Sequence, residues 1–273
     1  MGSVALGCLL AILTAGPAAA QKKQPPFKVP EGLELTRDVT YGTGGGRPLK
    51  MHLLRAKTPA GEPMPVIVWI HGGGWQKGTR DGGLPKLVAF AGKGYFCASI
   101  EYRLSGEATF PAQIEDCKCA IRFLRAKAKE YNLDPDRIGV WGSSAGGHLV
   151  ALLGTSGNVK ELEGNGGWPE VSSKVQAVCD FCGPTDLVEF VANSKKKADS
   201  AIAKLLGGPP AENKTKADLA NPITHVTKDA PPFLVVHGDK DTTVPMRQSE
   251  LLRDALQKGL GSPFDERLYN ILP

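Results

Sequence analysis

The residues with the clearest capacity for chemistry are Gly142-Ser143-Ser144-Ala145-Gly146-Gly147. An apolar run, Arg137-Ile138-Gly139-Val140-Trp141, precedes them and reads as a short buried strand. His148-Leu149-Val150-Ala151-Leu152-Leu153 follows in a helical pattern. The order is strand, tight turn, helix, and residues 142, 144 and 146 fit G-x-S-x-G, the nucleophile elbow. A sharp turn there lifts the Ser144 hydroxyl above the sheet edge. Glycine at 142 and 146 avoids collisions with neighbouring backbone. The helix that begins after Ser144 aims free N–H groups and a partial positive charge at the same place, which suits a developing oxyanion. The bare pattern also fits a glycine-rich turn with a capping serine. The flanking strand and helix, and two further motifs in order, favour the nucleophile.

The second motif is His71-Gly72-Gly73-Gly74-Trp75, directly after the β-branched run Val66-Ile67-Val68-Trp69-Ile70. Glycines allow successive N–H groups to converge on one point, as an acyl-transfer site requires where a carbonyl oxygen becomes negative. His71 is expected to order this loop by hydrogen bonding rather than to act as a base. Trp75 fits either a wall of the acyl pocket or a core position. The third motif is His237-Gly238-Asp239-Lys240-Asp241, at the end of the apolar run Pro232-Phe233-Leu234-Val235-Val236. An acid there can orient a histidine and stabilise its cation. By chemistry alone Asp239 and Asp241 serve equally, and both also suit a plain turn.

These motifs need strand ends to carry them. Leu35 to Tyr41 and Leu49 to Arg55 read as strands joined by a loop over residues 42–48. Val66 to Ile70, Tyr95 to Glu101, the elbow strand, Val175 to Phe181, residues 232–236 and Asp265 to Leu272 continue the strand series. Helices are expected over Leu84 to Lys93, Phe110 to Tyr131 and Val244 to Lys258. In the second of these, Ile114, Cys117, Ile121 and Leu124 share a face and Pro111 suits the first turn. Asn132 to Arg137 reads as the turn into the elbow strand, and residues 154–173 as loop. Residues 187–230 break the strand–helix rhythm, with helical fragments at Leu187 to Val191 and Ala198 to Leu206. They read as a small cap-like insertion near the site mouth.

The 273 residues suffice for one α/β domain, and 33 basic against 28 acidic residues give no reason to invoke nucleic acid. Residues 1–20 carry a short apolar run, Val4 to Leu13, and Ala18-Ala19-Ala20 before Gln21. This fits a secretory signal peptide without a basic n-region and is too short for a comfortable membrane span. Export to a secreted or periplasmic location, with a mature start near Gln21, is the expectation. Residues 21–34 read as an extended lead-in. Without Cys8, five cysteines remain, an odd number that does not describe a disulfide framework. Cys117 and Cys119 diverge around a helix, and burial suits most of the five. No metal cluster, dinucleotide fingerprint or Walker-type loop occurs, so no cofactor is implied.

With the three motifs in this order, the sequence resembles the α/β-hydrolase superfamily over roughly residues 35–273. It is most similar to bacterial carboxylesterases of the hormone-sensitive-lipase-like and feruloyl/acetyl-xylan-esterase-like groups. His71 to Trp75, Glu101-Tyr102-Arg103-Leu104, Gly142 to His148 and His237 to Asp241 carry the likeness. The resemblance implies a mostly parallel central sheet with helices on both faces. It also implies hydrolysis of short acyl, aromatic or carbohydrate esters through an acyl-serine. It makes Ser144 the nucleophile, assigns the oxyanion N–H groups to Gly73, Gly74 and Ala145, and places the triad acid at Asp241. The family's histidine follows the last strand, whereas His52, His71, His148, His225 and His237 all precede Asp241. The expectation is therefore a chain that stops short of its base and its final helix and is nearly inactive. In the serine-protease case, losing a triad member leaves about 10³–10⁴-fold catalysis over water. A prolyl-oligopeptidase-like peptidase and a non-catalytic binding protein on a hydrolase scaffold are the competing readings. The first lacks a propeller domain and conflicts with the H-G-G-G loop. The second draws on the missing histidine.

Overall fold

The computed structural model describes residues 27–58, 61–193, 199–260 and 269–272. Residues 1–26, which hold the signal-peptide reading, and residues 265–268 of the last expected strand lie outside that set. Eight strands form one sheet in the order β1-β2-β4-β3-β5-β6-β7-β8. They are β1 (Leu33–Gly44), β2 (Arg47–Ala56), β3 (Met64–Ile70), β4 (Phe96–Ile100), β5 (Leu133–Ser143), β6 (Ala177–Phe181), β7 (Phe233–Gly238) and β8 (Tyr269–Leu272). The β1–β2 and β2–β4 pairs are antiparallel, and every other pair is parallel. The expected α/β architecture is the one observed.

The helices are α1 (Leu84–Ala91), α2 (Ala112–Ala126), α3 (Ala128–Tyr131), α4 (Ala145–Thr155), α5 (Leu187–Asn193), α6 (Asp199–Leu206), α7 (Lys214–Ala220) and α8 (Arg247–Leu260). Central strands lie between two helical layers, which is why β4 is buried at every residue, Ser99 included. One layer contains α2, α4 and α8, whose Ile114, Leu149 and Leu252 join the main core. On the other face, α1 packs Leu87 and Ala91 against Leu54, Trp69 and Cys97.

Several boundaries differ from the sequence reading, each for a physical reason. The β1–β2 hairpin is tighter than residues 42–48, because Gly45 and Gly46 alone make the turn, at φ 58° and 78°. A two-residue hairpin turn of this kind needs positive φ at both positions. The long helix over residues 110–131 breaks at Lys127 into α2 and α3. The expected turn at residues 132–137 is largely strand, since β5 begins at Leu133, just after left-handed Asn132. Helix α7 carries little apolar periodicity and escaped the sequence pattern. Gln113, Asp116, Lys118 and Arg122 of α2 are also buried. Asp116 accepts from Arg103 Nη2 at 2.7 Å, and Lys118 donates to the Ser156 carbonyl and to Glu163, both at 2.7 Å. Ile114, Cys117, Ile121 and Leu124 are fully buried, as expected. Cys97, Cys117, Cys119, Cys179 and Cys182 are all free thiols.

Candidate active site

Parallel strands end on the same side of a sheet, and crevices at those carboxyl ends are the usual ligand sites of open α/β folds. Here β3 ends at Ile70 and delivers His71, β5 ends at Ser143 and delivers Ser144, and β6 ends at Phe181 and delivers Cys182. Strand β7 ends at Gly238 and delivers Asp241. The three motifs therefore meet at one edge, although up to 170 residues of sequence separate them.

Ser144 adopts φ 56° and ψ −123°, a backbone region that costs a non-glycine residue about 1–3 kcal/mol. The fold holds it there. Its N–H donates to the Phe181 carbonyl at 2.8 Å, and its own carbonyl accepts from His148 N–H at 3.0 Å as the first bond of α4. Glycine is required on either side. A Cβ at position 142 would lie 2.3 Å from the Gly146 carbonyl oxygen, and one at 146 would lie 2.1 Å from that of Ile70. The strand–turn–helix elbow read from the sequence is present, with Ser144 half-buried at its tip.

The H-G-G-G-W loop lies against this elbow. A Cβ on Gly72 would meet the Ser143 carbonyl at 2.5 Å and Ser144 Cβ at 3.3 Å. Gly73, Gly74 and Trp75 follow at φ 109°, 60° and 57°. Gln76 and Lys77 N–H both close onto the Gly73 carbonyl at 3.2 Å. The Gly73 and Gly74 N–H groups donate to no acceptor among the described residues, and Ala145 N–H is at the open first turn of α4. Those are the residues that the family resemblance implies as oxyanion donors. His71 orders the loop: its Nδ1 contacts the Gly72 carbonyl at 2.8 Å, and its ring stacks on Tyr102 at 4.3 Å. Tyr102 in turn donates to the His71 carbonyl at 3.0 Å. Burial holds the His71 pKa below its ordinary value, against the upward pull of the Gly72 carbonyl.

The two aspartates are no longer equivalent. Asp239 is exposed, whereas Asp241 is half-buried and its Oδ1 accepts from Thr243 N–H at 2.7 Å and Val244 N–H at 3.0 Å. The second Asp241 oxygen is 3.7 Å from His237 Nε2. None of the five histidines bonds to Ser144. His52 accepts from Asp38 N–H at 3.1 Å, His225 contacts the Leu219 carbonyl at 2.9 Å, and His237 spans Ser249 and the Val244 carbonyl at 2.7 and 2.9 Å. His148 is packed in the core, and its Nε2 reaches the Ala220 carbonyl at 2.7 Å, in the insertion.

That insertion sits on the oxyanion loop. Lys204 of α6 donates to Gln76 at 3.1 Å, Phe110 N–H donates to the Leu205 carbonyl at 2.7 Å, and a Cβ on Gly74 would touch Ala201 Cβ at 3.6 Å. Trp75 is buried, with its ring edge-on to His148 at 5.2 Å. Two residues at the site were not nominated from sequence. The Cys182 thiol lies 4.0 Å from Ser143 Oγ; burial pushes its pKa up, and Asp241 acts in the same direction. Asp180, two residues before it on β6, is fully buried beside Gly147. Asp180 belongs to no spacing pattern, its only hint being an acid inside an apolar strand, whereas Cys182 closes a Cys179-x-x-Cys182 spacing that suits a metal or redox pair as well as burial. A separate cavity of about 350 Å³ between Arg122 and residues 157–173 is not lined by Ser144 or Asp241.

The BD-FAE family model matches residues 53–256, which span all three motifs. The chain is 34% identical over 223 residues to esterase LipQ of Mycobacterium tuberculosis, covering 81% of this chain and 52% of that protein. It is 34% identical over 211 residues to a probable carboxylic ester hydrolase, LipM, of the same organism, covering 77% and 48%. The chain thus spans about half the length of the curated relatives it matches. Among solved structures, a truncated carbohydrate esterase from gut microbiota aligns with a TM-score of 0.75 at 30% identity, covering 88% of this chain and 86% of that one. Propionate-bound esterase 2 of Thermogutta terrifontis aligns with a TM-score of 0.68 at 26% identity, covering 89% and 83%. The fold, the elbow and the family match agree, and the chain belongs to the BD-FAE family of α/β-hydrolases.

Proposed function

We propose that the chain is the catalytic unit of a serine carboxylic ester hydrolase. The single observation that carries this reading is the apposition of Ser144, at φ 56° on its elbow, with the H-G-G-G loop, whose Gly72 approaches Ser144 Cβ. In the proposed reaction Ser144 Oγ attacks the ester carbonyl and loses its proton to a base. The carbonyl oxygen becomes an oxyanion facing the N–H groups of Gly73, Gly74 and Ala145. Collapse expels the alcohol, which takes up a proton, and water then hydrolyses the acyl-serine. Asp241 is the acid that would orient a histidine base. The proposed substrate class, short acyl esters including those on carbohydrate, is supported by the relatives, a carbohydrate esterase and a propionate-bound esterase among them.

All five histidines are held by other partners. Turnover by these residues alone is therefore proposed to be low, near the roughly 10³–10⁴-fold over water left when a triad member is lost. The same observation favours a second reading, a binding protein on a hydrolase scaffold. Fluorophosphonate labelling and hydrolysis of an activated acetate ester, each with S144A as control, separate the two. Labelling of Ser144 with slow, S144A-sensitive turnover supports the enzyme. Absence of labelling together with ester binding supports the scaffold. Turnover matching a full-length esterase of the family would refute the low-activity proposal. Export with a mature start near Gln21 is proposed from residues 1–20, and an intact Met1 in the mass spectrum of the exported product would refute it.

A further inference from the structure

Asp180 is the penultimate residue of β6, in register with the elbow glycine Gly142 on one side and with Val235 on the other. Its side chain has no exposure to solvent. Oδ1 accepts from Gly183 N–H at 2.9 Å, and Oδ2 has no partner among the described residues. The carboxyl is wedged between two glycines. A Cβ on Gly147, in the first turn of α4, would stand 2.3 Å from Oδ1, and a Cβ on Gly183 would stand 2.6 Å from it. The strand and turn that Asp180 anchors seat the nucleophile, because Phe181 accepts the Ser144 N–H at 2.8 Å.

Charge decides what this carboxyl can be. On β6 and its turn, the titratable neighbours are the thiols of Cys179 and Cys182, both raised chiefly by burial. Helix α4 presents Gly147, followed by His148, whose ring faces Ala220. Strand β5 presents Gly142 and β7 presents Val235. No lysine or arginine among the described residues acts on Asp180. Burial with one donor and no cation favours the neutral acid over the carboxylate. Burial accordingly pushes this group up to about 7, against the downward pull of the Gly183 N–H.

We propose that Asp180 is a positioning residue of the acyl-transfer site: as the neutral acid it anchors the Phe181–Gly183 turn and leaves the positive end of α4 unopposed. This inference rests on the reading of Ser144 as nucleophile. The N-terminal turn of α4 is where the oxyanion would be stabilised. An ionised Asp180 beside Gly147 would set a negative charge behind that same turn and oppose the oxyanion through a medium with little screening.

The test uses the whole chain, native and D180N, since asparagine keeps the Oδ1 acceptor and cannot ionise. Aspartate ¹³C-carboxyl resonances, with D180N identifying the one at issue, should show a midpoint about three units above an ordinary aspartate. The melting-temperature gap between D180N and native chain should widen as pH rises from about 4 to about 7 and then level off, because the raised folded pKa costs the native chain stability across that window. The rate of Ser144 labelling by a fluorophosphonate, D180N over native, should rise about tenfold between roughly pH 6 and pH 8.5. A midpoint near the ordinary aspartate value, a gap independent of pH or a flat labelling ratio would each overturn the proposal. Absence of labelling in both proteins removes the nucleophile and with it the positioning role, while the titration still reports the charge state on its own.

Discussion

His148 Nε2 donates to the Ala220 carbonyl at 2.7 Å, tying the elbow helix to the end of α7, 72 residues further on and within the insertion. The imidazole is fully buried and edge-on to Trp75, so one side chain joins the elbow, the oxyanion loop and the insertion. Replacing it by alanine strands a buried carbonyl and opens a void. His148→Ala is expected to cost about 2–4 kcal/mol in urea unfolding.

The same histidine gives a pH dependence with a definite sign. Burial lowers its pKa to about 4, while the unfolded chain titrates near 6.5. Its contribution is fully present above about pH 6.5 and is lost as pH falls from there through about 4, on the order of 3 kcal/mol in all. Urea unfolding of native chain and H148N across that range should show the two converging on the acid side. A pH-independent difference would count against a neutral buried imidazole.

Ser144 trades stability for position. Its left-handed backbone is relieved by glycine but not by alanine. S144G should therefore unfold at higher denaturant, by about 1–3 kcal/mol, and S144A should not gain that increment. Both should lose fluorophosphonate labelling.

Gly72 lies where the oxyanion loop meets the elbow, and a Cβ there would stand 2.5 Å from the Ser143 carbonyl oxygen. The backbone must shift to admit it. G72A is expected to lower ester turnover or labelling rate by about 10²-fold, as when one oxyanion donor is misplaced. A native rate with a native melting temperature would show that the loop does not align the site.

Glu163 carries the polar side of α2. It accepts from Lys118 at 2.7 Å and Arg122 at 2.6 Å, and both of those side chains are buried. E163Q leaves two buried cations without their counter-charge and should cost about 3–5 kcal/mol, read by chemical unfolding. Because this cluster lies away from Ser144, labelling at temperatures well below the melting point should persist.

Much of this protein is determined by local sequence. The apolar β-branched runs, the glycines spaced around Ser144 and the H-G-G-G loop specify strand ends and tight turns through short-range sterics, and the structure has each of them. What the tertiary structure alone decided concerns partners distant in the chain. It separated Asp241 from Asp239, because only the former is half-buried and held by two N–H groups. It sent His148 to Ala220 and buried Lys118 and Arg122 of α2 against Glu163. It set Asp180 behind the elbow, with no cation to balance it. Periodicity and spacing report which way a side chain faces from its own strand or helix. Whether a charge or ring nitrogen found there is exposed, paired or left neutral depends on what packs over it, and that is fixed only when the sheet assembles.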